Sequence, residues 1–350
     1  MAEQGDILPQ NNNFLLGQNQ AEELFLRAFK TNSMHHAWIL GGPMGIGKAT
    51  LAYRIARFLL SADFSKRDSY NSLNISESST IFQQVANNSH PDLMVLERDY
   101  IETDRRKIIS AIRKGEYLED DELANLKKSA FIRVDDVRKV NEFLSKTSFN
   151  SGWRVVIIDS ADEMNKNAAN ALLKILEEPP AKTVLLLISH NPGILLPTIR
   201  SRCAKLPLQR LLDIDVASLL RRYRPQLNEI LITKLVQMSE GSIGKAIVYA
   251  DIDAVQIYND MCSILYARQN FSLEKLLDFC TETAADADKF NILQELLLKF
   301  IKESMADCQD PEELFALAEQ MRQMFADCSS VNMDKRLMLI NLLSKICKVL

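Results

Sequence analysis

Residues 42–48 read Gly-Pro-Met-Gly-Ile-Gly-Lys, the start of the pattern G-x-x-x-x-G-K-[ST] that wraps backbone N–H groups around phosphate oxygens. Gly42, Gly45 and Gly47 free the backbone to turn inward, and Lys48 neutralises the outer phosphates of a bound ATP or ADP. A helix starting at this point aims its positive end at the same place. The pattern ends in a hydroxyl that ligates Mg2+, but position 49 is alanine. Thr50 stands one step along, rotated by about 100° around the helix, so the metal ligand is missing from its usual place. Asp159 closes the apolar run VVIID, where a strand's carboxyl end would let it hold Mg2+ through water. The next residue in such an ATPase is ordinarily a glutamate that prepares water for attack on the γ-phosphate; here it is Ser160, which cannot act as that base. Asp162 and Glu163 follow in the next turn, and only an unusual backbone would let them substitute.

These groups meet only if strands and helices alternate so as to bring them to one edge of a sheet. AWIL (37–40) reads as a buried strand running into the glycines, and ATLAYRIARFLL after them carries Leu51, Ile55, Phe58 and Leu59 as a helical stripe. A helix over 19–29 places Ala21, Leu24, Phe25 and Ala28 on one face. PDLMVLER (91–98), WRVVIID (153–159) and TVLLLIS (183–189) read as further strands, the last two apolar throughout as in a parallel sheet covered on both faces. Helices are expected over 134–146 and 165–178, the latter stopped by Pro179 and Pro180. The Ser/Asn-rich stretch 61–90 reads as a surface excursion with little core, and 99–129 as loop and solvated helix. The alternation predicts a three-layer α/β domain over 1–208. Short helices near 213–221, 228–238 and 242–250 suggest a small helical domain over 209–254. From 255 to 350 every segment is helical, with stripes at Phe290, Leu293, Leu297 and Ile301 and at Leu339, Leu342, Ile346 and Leu350.

Bulk properties exclude several classes. A net charge of -4 gives no sign of a chain that coats nucleic acid through its own positive field, so any DNA contact must be local or shared with partners. The first residues, MAEQGDILPQNNN, lack a basic start followed by an apolar run, which predicts a cytoplasmic protein. Six cysteines (203, 262, 280, 308, 328, 347) form no CxxC pair, and the four histidines have no ligand spacing, so no metal site and no zinc are predicted.

Four segments carry a resemblance: HHAWILGGPMGIGKATLAYRIARFLL (35–60), HPD (90–92), VVIIDSADEMNKNAANALLKILEEPP (155–180) and LPTIRSRC (196–203). They resemble the DNA polymerase III clamp-loader subunits, within them most closely the delta-prime type. The resemblance implies a RecA-like AAA+ P-loop domain, a helical lid and a C-terminal helical collar that joins a ring with gamma/tau and delta subunits. It further implies work on a sliding clamp and primer-template DNA within a nucleotidyltransferase complex. In this family the SRC arginine, here Arg202, reaches the ATP of a neighbouring subunit as an arginine finger, a role suited to a planar, permanently charged guanidinium. The family's sensor in the strand after Asp159 falls at His190, with Ser189 as the alternative. The lid arginine of G-S-[LI]-R falls at Gly244, and Lys245 is one step around the helix. Ala49, Ser160, His190 and Gly244 together predict a subunit that has lost hydrolysis and retains Arg202. Many members carry a four-cysteine zinc module before the Asp159 strand; this chain has no cysteine before Cys203.

For DNA, the candidates are Arg133, Arg138 and Lys139, though scattered charges on a helix more often form a solvated face. The rival reading is an active AAA+ ATPase, a motor subunit or a helicase, in which Thr50 and Glu163 replace the missing groups.

Overall fold

In the computed structural model, residues 8–114, 126–148, 152–267, 272–307, 311–331 and 333–349 are described. One parallel sheet is built from β1 (Ala37–Gly41), β2 (Leu93–Leu96), β3 (Arg154–Ile158), β4 (Thr183–Ser189) and β5 (Ala204–Pro207). Its spatial order is β2-β3-β4-β1-β5, every neighbouring pair parallel. Side chains alternate across it. Trp38, Leu40, Val155, Ile157 and Leu186 meet Phe25 and Phe29 of α1 (Asn19–Lys30) and Leu51, Ile55 and Phe58 of α2 (Lys48–Ser61). Ile39, Val156, Ile158, Leu185 and Leu187 face the other way, onto Val137, Val140 and Leu144 of one helix and Leu172 and Ile175 of another. That double coverage explains the unbroken apolar runs 155–158 in β3 and 184–188 in β4, each such side chain contributing roughly 1.5–3 kcal/mol on burial. Helices on both faces of a parallel sheet, with the glycine loop leaving β1, make this a three-layer α/β domain of the P-loop kind, as the alternation of elements required.

Between α2 and β2 lies the Ser/Asn-rich excursion, and here the expectation of little core is corrected. It holds a short 3-10 helix (Phe64–Ser69) and α3 (Thr80–Ala86). It buries Leu73, Phe82 and Val85, and Phe64 and Tyr70 pack edge-on against Phe29. Sparse apolar residues among polar ones hid this, since no period marks a segment that covers a core without regular structure. Leu24 is a second correction: expected on the buried stripe of α1, it is 42% exposed. The charged stretch 99–129 contains α4 (Glu102–Lys114), and its residues 115–125 lie outside the described ones. Beyond it come α5 (Val134–Ser145), α6 (Lys166–Glu177) and α7 (Pro197–Arg200). Asn165 caps α6 by accepting from the Ala168 amide at 2.8 Å. The edge strand β5 went unread because AKLP is short and has one buried residue, Leu206.

The contacts gather the chain into two compact units. The first comprises 1–225 and 240–245, and so includes α8 (Asp213–Tyr223). The second comprises 226–239 and 246–350. It contains α9 (Glu229–Ser239), most of α10 (Ile243–Asp251), and α11 (Ala254–Leu265), α12 (Leu273–Ala285), α13 (Ala287–Asp307), α14 (Pro311–Val331) and α15 (Lys335–Val349). Within it α12 packs on α15 and α13 on α14. Phe290, Leu293, Leu297, Ile301, Leu339, Leu342 and Ile346 are buried as their spacing required; Leu350 lies outside the described residues. Among the described residues no helix is long and apolar enough to cross a membrane.

Candidate functional site around the phosphate loop

Strand register brings the chemistry together. Gly41 of β1 stands opposite Ser189 of β4, and Ile158 of β3 opposite Leu187. The carboxyl ends of β1, β3 and β4 therefore release the glycine loop, Asp159-Ser160 and Ser189-His190 at one edge, as the sequence required. The loop takes backbone conformations that glycine alone adopts freely, with φ +74° at Gly45 and +97° at Gly47.

Every carbonyl from Gly42 to Gly47 accepts a hydrogen bond from the chain itself. Lys48 Nζ donates to Gly42 O at 2.7 Å and also to Pro43 O. Ser242 Oγ donates to Met44 O and the Gly244 amide to Gly45 O, each at 2.9 Å. Gln18 Nε2 donates to Ile46 O at 3.1 Å, and the Leu51 amide closes the first turn of α2 on Gly47 O at 2.9 Å. The turn that carries Ser242 and Gly244 approaches so closely that a Cβ on Gly244 would lie 2.8 Å from Gly45 Cα. Sequence reasoning took Gly244 for a lost sensor arginine; the structure adds that a side chain there is sterically incompatible with this contact. Burial pulls the Lys48 ammonium down to about 8, while Asp159 and Asp162 act in the opposite sense.

Ser160 stands where a base is expected, and the two acids that follow it are engaged with other groups of the chain. Burial raises the Asp159 carboxyl above its usual range, partly offset by a hydrogen bond from Ser160 Oγ at 3.2 Å. Ser160 Oγ also meets His190 Nε2 at 2.9 Å, and His190 Nδ1 is buried without a partner. Burial, reinforced by Lys48, lowers the His190 pKa and favours the neutral ring. Asp162 accepts from Ser189 Oγ at 2.5 Å, from the His190 amide and from the Asn191 amide at 3.2 Å. It is thus the cap of the loop that leaves β4. Glu163 is paired with Arg98 at 2.8 Å, and burial raises its carboxyl. Both acids considered as substitute bases are committed to structure. The residues that would hold a nucleotide are the glycine loop and Lys48 for its phosphates and Asp159 for a water-held Mg2+; Ala49 has no ligand atom, and Thr50 is the neighbouring hydroxyl in the first turn of α2.

Arg202 lies away from this loop. Its Nη2 meets Glu177 Oε1 at 2.9 Å and its Nη1 donates to Thr198 O at 3.1 Å, with the side chain 37% exposed. Two residues earlier Arg200 keeps its Nε buried and unpartnered, a feature with no sequence signal. Gln18 was missed as well, because its partners Ile46 and Gln209 are remote in sequence. The basic residues offered for DNA are each paired: Arg133 and Lys139 with Asp99 and Asp136, Arg138 with Asp135 at 2.7 Å.

The family model described as DNA polymerase III, delta subunit matches residues 17–212, the stretch that spans the loop, Asp159 and Arg202. The chain belongs to this family. It is 39% identical over 170 residues to the DNA polymerase III subunit delta' of Pseudomonas aeruginosa, covering 49% of this chain and 42% of that protein. Against the delta' subunit of Bacillus subtilis it is 28% identical over 194 residues, covering 55% and 48%. The chain spans about half the length of these curated relatives. Among solved structures, a DNA polymerase III gamma subunit-related protein of Thermotoga maritima aligns over 93% of this chain and 98% of its own, at 17% identity and a TM-score of 0.45. The matched stretch of the family model ends at 212, so the helical second unit lies beyond it.

Proposed function

We propose that this chain is a delta-prime-type subunit of the bacterial sliding-clamp loader of DNA polymerase III, working in the cytoplasm. In this reading it joins gamma/tau and delta subunits and takes part in loading the sliding clamp onto primer-template DNA. It does not hydrolyse ATP; it lends Arg202 to ATP on a neighbouring subunit. The observation that carries the reading is the division of labour at the site. Ser160 stands where the water-activating glutamate is expected and Asp162 and Glu163 are engaged with other groups of the chain, whereas Arg202 stands partly exposed on the family-matched domain. The glycine loop and Lys48 hold ATP or ADP weakly, with Asp159 toward Mg2+, since a phosphate must displace Lys48 from Gly42 and Pro43.

The test is DNA- and clamp-stimulated ATP turnover of a loader reconstituted with this chain. Arg202→Ala is expected to cut turnover by roughly tenfold or more with assembly intact, as removal of a finger does. An unchanged rate sinks the finger. Steady turnover by the chain alone would instead establish the rival, an ATPase in its own right.

A further inference from the structure

We propose that Glu177 is the positioning residue for Arg202, fixing its guanidinium plane so that the remaining donors are ready for a phosphate. The inference rests on the finger reading given above. A guanidinium carries five N–H donors in a rigid fork. Glu177 Oε1 takes one from Nη2 at 2.9 Å and the Thr198 carbonyl takes one from Nη1 at 3.1 Å. About three donors then remain, enough for a two-pronged grip on phosphate. The two acceptors belong to different elements, Glu177 as the last residue of α6 and Thr198 within α7, so the plane is defined from two sides. An unanchored arginine loses its rotamer freedom when it docks; an anchored one has lost much of it beforehand.

The place of Glu177 in its helix points the same way. A carboxylate at the carboxyl end of α6 faces the negative end of the helix dipole, and Glu178 follows it directly. Local electrostatics disfavour an acid there unless a cation joins it. Arg202 is that cation. Side-chain exposures of 37% for Arg202 and 52% for Glu177 make the pair weak in stability terms, so losing it should leave the fold intact and alter the finger's aim.

The test compares the reconstituted loader carrying wild type, Glu177→Ala, Glu177→Gln, Arg202→Ala and the Ala/Ala double variant over a range of ATP concentrations. Glu177→Ala is expected to lower kcat by roughly three- to tenfold with KM within about twofold, the signature of lost orientation. Glu177→Gln keeps an acceptor oxygen and is expected to recover to within about twofold of wild type. In the Arg202→Ala background, Glu177→Ala adds nothing. Turnover at or above the wild-type rate in Glu177→Ala, or a loss that persists without Arg202, overturns the proposal. If Arg202→Ala is itself silent, the finger reading fails; if only Glu177→Ala is silent, the finger stands and the positioning role fails.

Discussion

Gly244→Ala separates two accounts of the turn that carries Ser242 and Gly244 by the sign of its effect. Gly244 is the second residue of α10 and has no left-handed φ, so alanine is conformationally allowed. At an open helix position the exchange would stabilise by about 1 kcal/mol. Here the added Cβ would lie 2.8 Å from Gly45 Cα and 3.4 Å from Gly45 O, and ordinary contact begins near 3.4 Å. Both neighbours are backbone, so no flexible side chain can swing aside. Opening the contact costs about 1–3 kcal/mol as overpacking. It also endangers the bonds from the Gly244 amide to Gly45 O and from Ser242 Oγ to Met44 O, at about 0.5–1.5 kcal/mol each. Even after the gain in helix propensity, the variant is expected to be destabilised by roughly 1–5 kcal/mol. A chain of two units need not unfold in one step, so a local readout is preferable. Amide exchange at residue 244, corrected for its intrinsic rate, should quicken by roughly fivefold or more. Slower exchange, or a variant more stable to urea than wild type, would refute the close contact.

Lys48→Met tests the buried ammonium: the folded value of about 8 lies below the ordinary 10.5, so between them the unfolded chain binds more protons. Wild-type stability should therefore rise with pH across that window while the methionine variant lacks the gain, and a gap in urea stability that ignores pH would contradict this. Asp162→Ala strips an acceptor from Ser189 Oγ and from the His190 and Asn191 amides and should cost about 2–4 kcal/mol in urea unfolding; a change below about 0.5 kcal/mol would show that the cap is dispensable. Burial pushes the Cys203 thiol up to about 12, so at pH 8 a maleimide should label it slowly in the native chain and quickly in urea. Native labelling at the free-thiol rate would show that the SRC turn opens.

Much of the first unit was legible in the sequence for identifiable reasons. β3 and β4 are buried on both faces, so their composition had no freedom and their bounds were readable almost to the residue. The glycine loop was legible because positive φ restricts residue choice. What stayed hidden depends on contacts between distant residues. β5 is a strand because β1 pairs with it, and the excursion over 61–90 is part of the core because Phe29 and Phe58 need covering. The hold on Met44, Gly45 and Ile46 comes from Ser242, Gly244 and Gln18, and no local pattern marks those residues as partners.

That long-range allocation also changes how the altered positions count. Ala49, Ser160, His190 and Gly244 stand at separate places in the sequence and invite treatment as four separate losses. In the structure Ser160 and His190 hydrogen-bond each other at 2.9 Å, so a change at one alters what the other can do. Gly244 is tied to Gly45, because any side chain at 244, an arginine included, brings a Cβ into the loop's backbone. The absent arginine and the tight turn over the loop are therefore one feature, and an arginine cannot be restored without lifting the turn away. The reading of lost hydrolysis consequently rests on one lone change and two couplings: a missing metal ligand at Ala49, a Ser160–His190 pair where a base and a sensor would stand, and a contact between Gly244 and Gly45 that excludes a side chain at 244. Asp162 and Glu163 do not reopen the question. Asp162 is the cap of the β4 exit and Glu163 is bound to Arg98, so recruiting the first would uncap that loop and recruiting the second would break its ion pair.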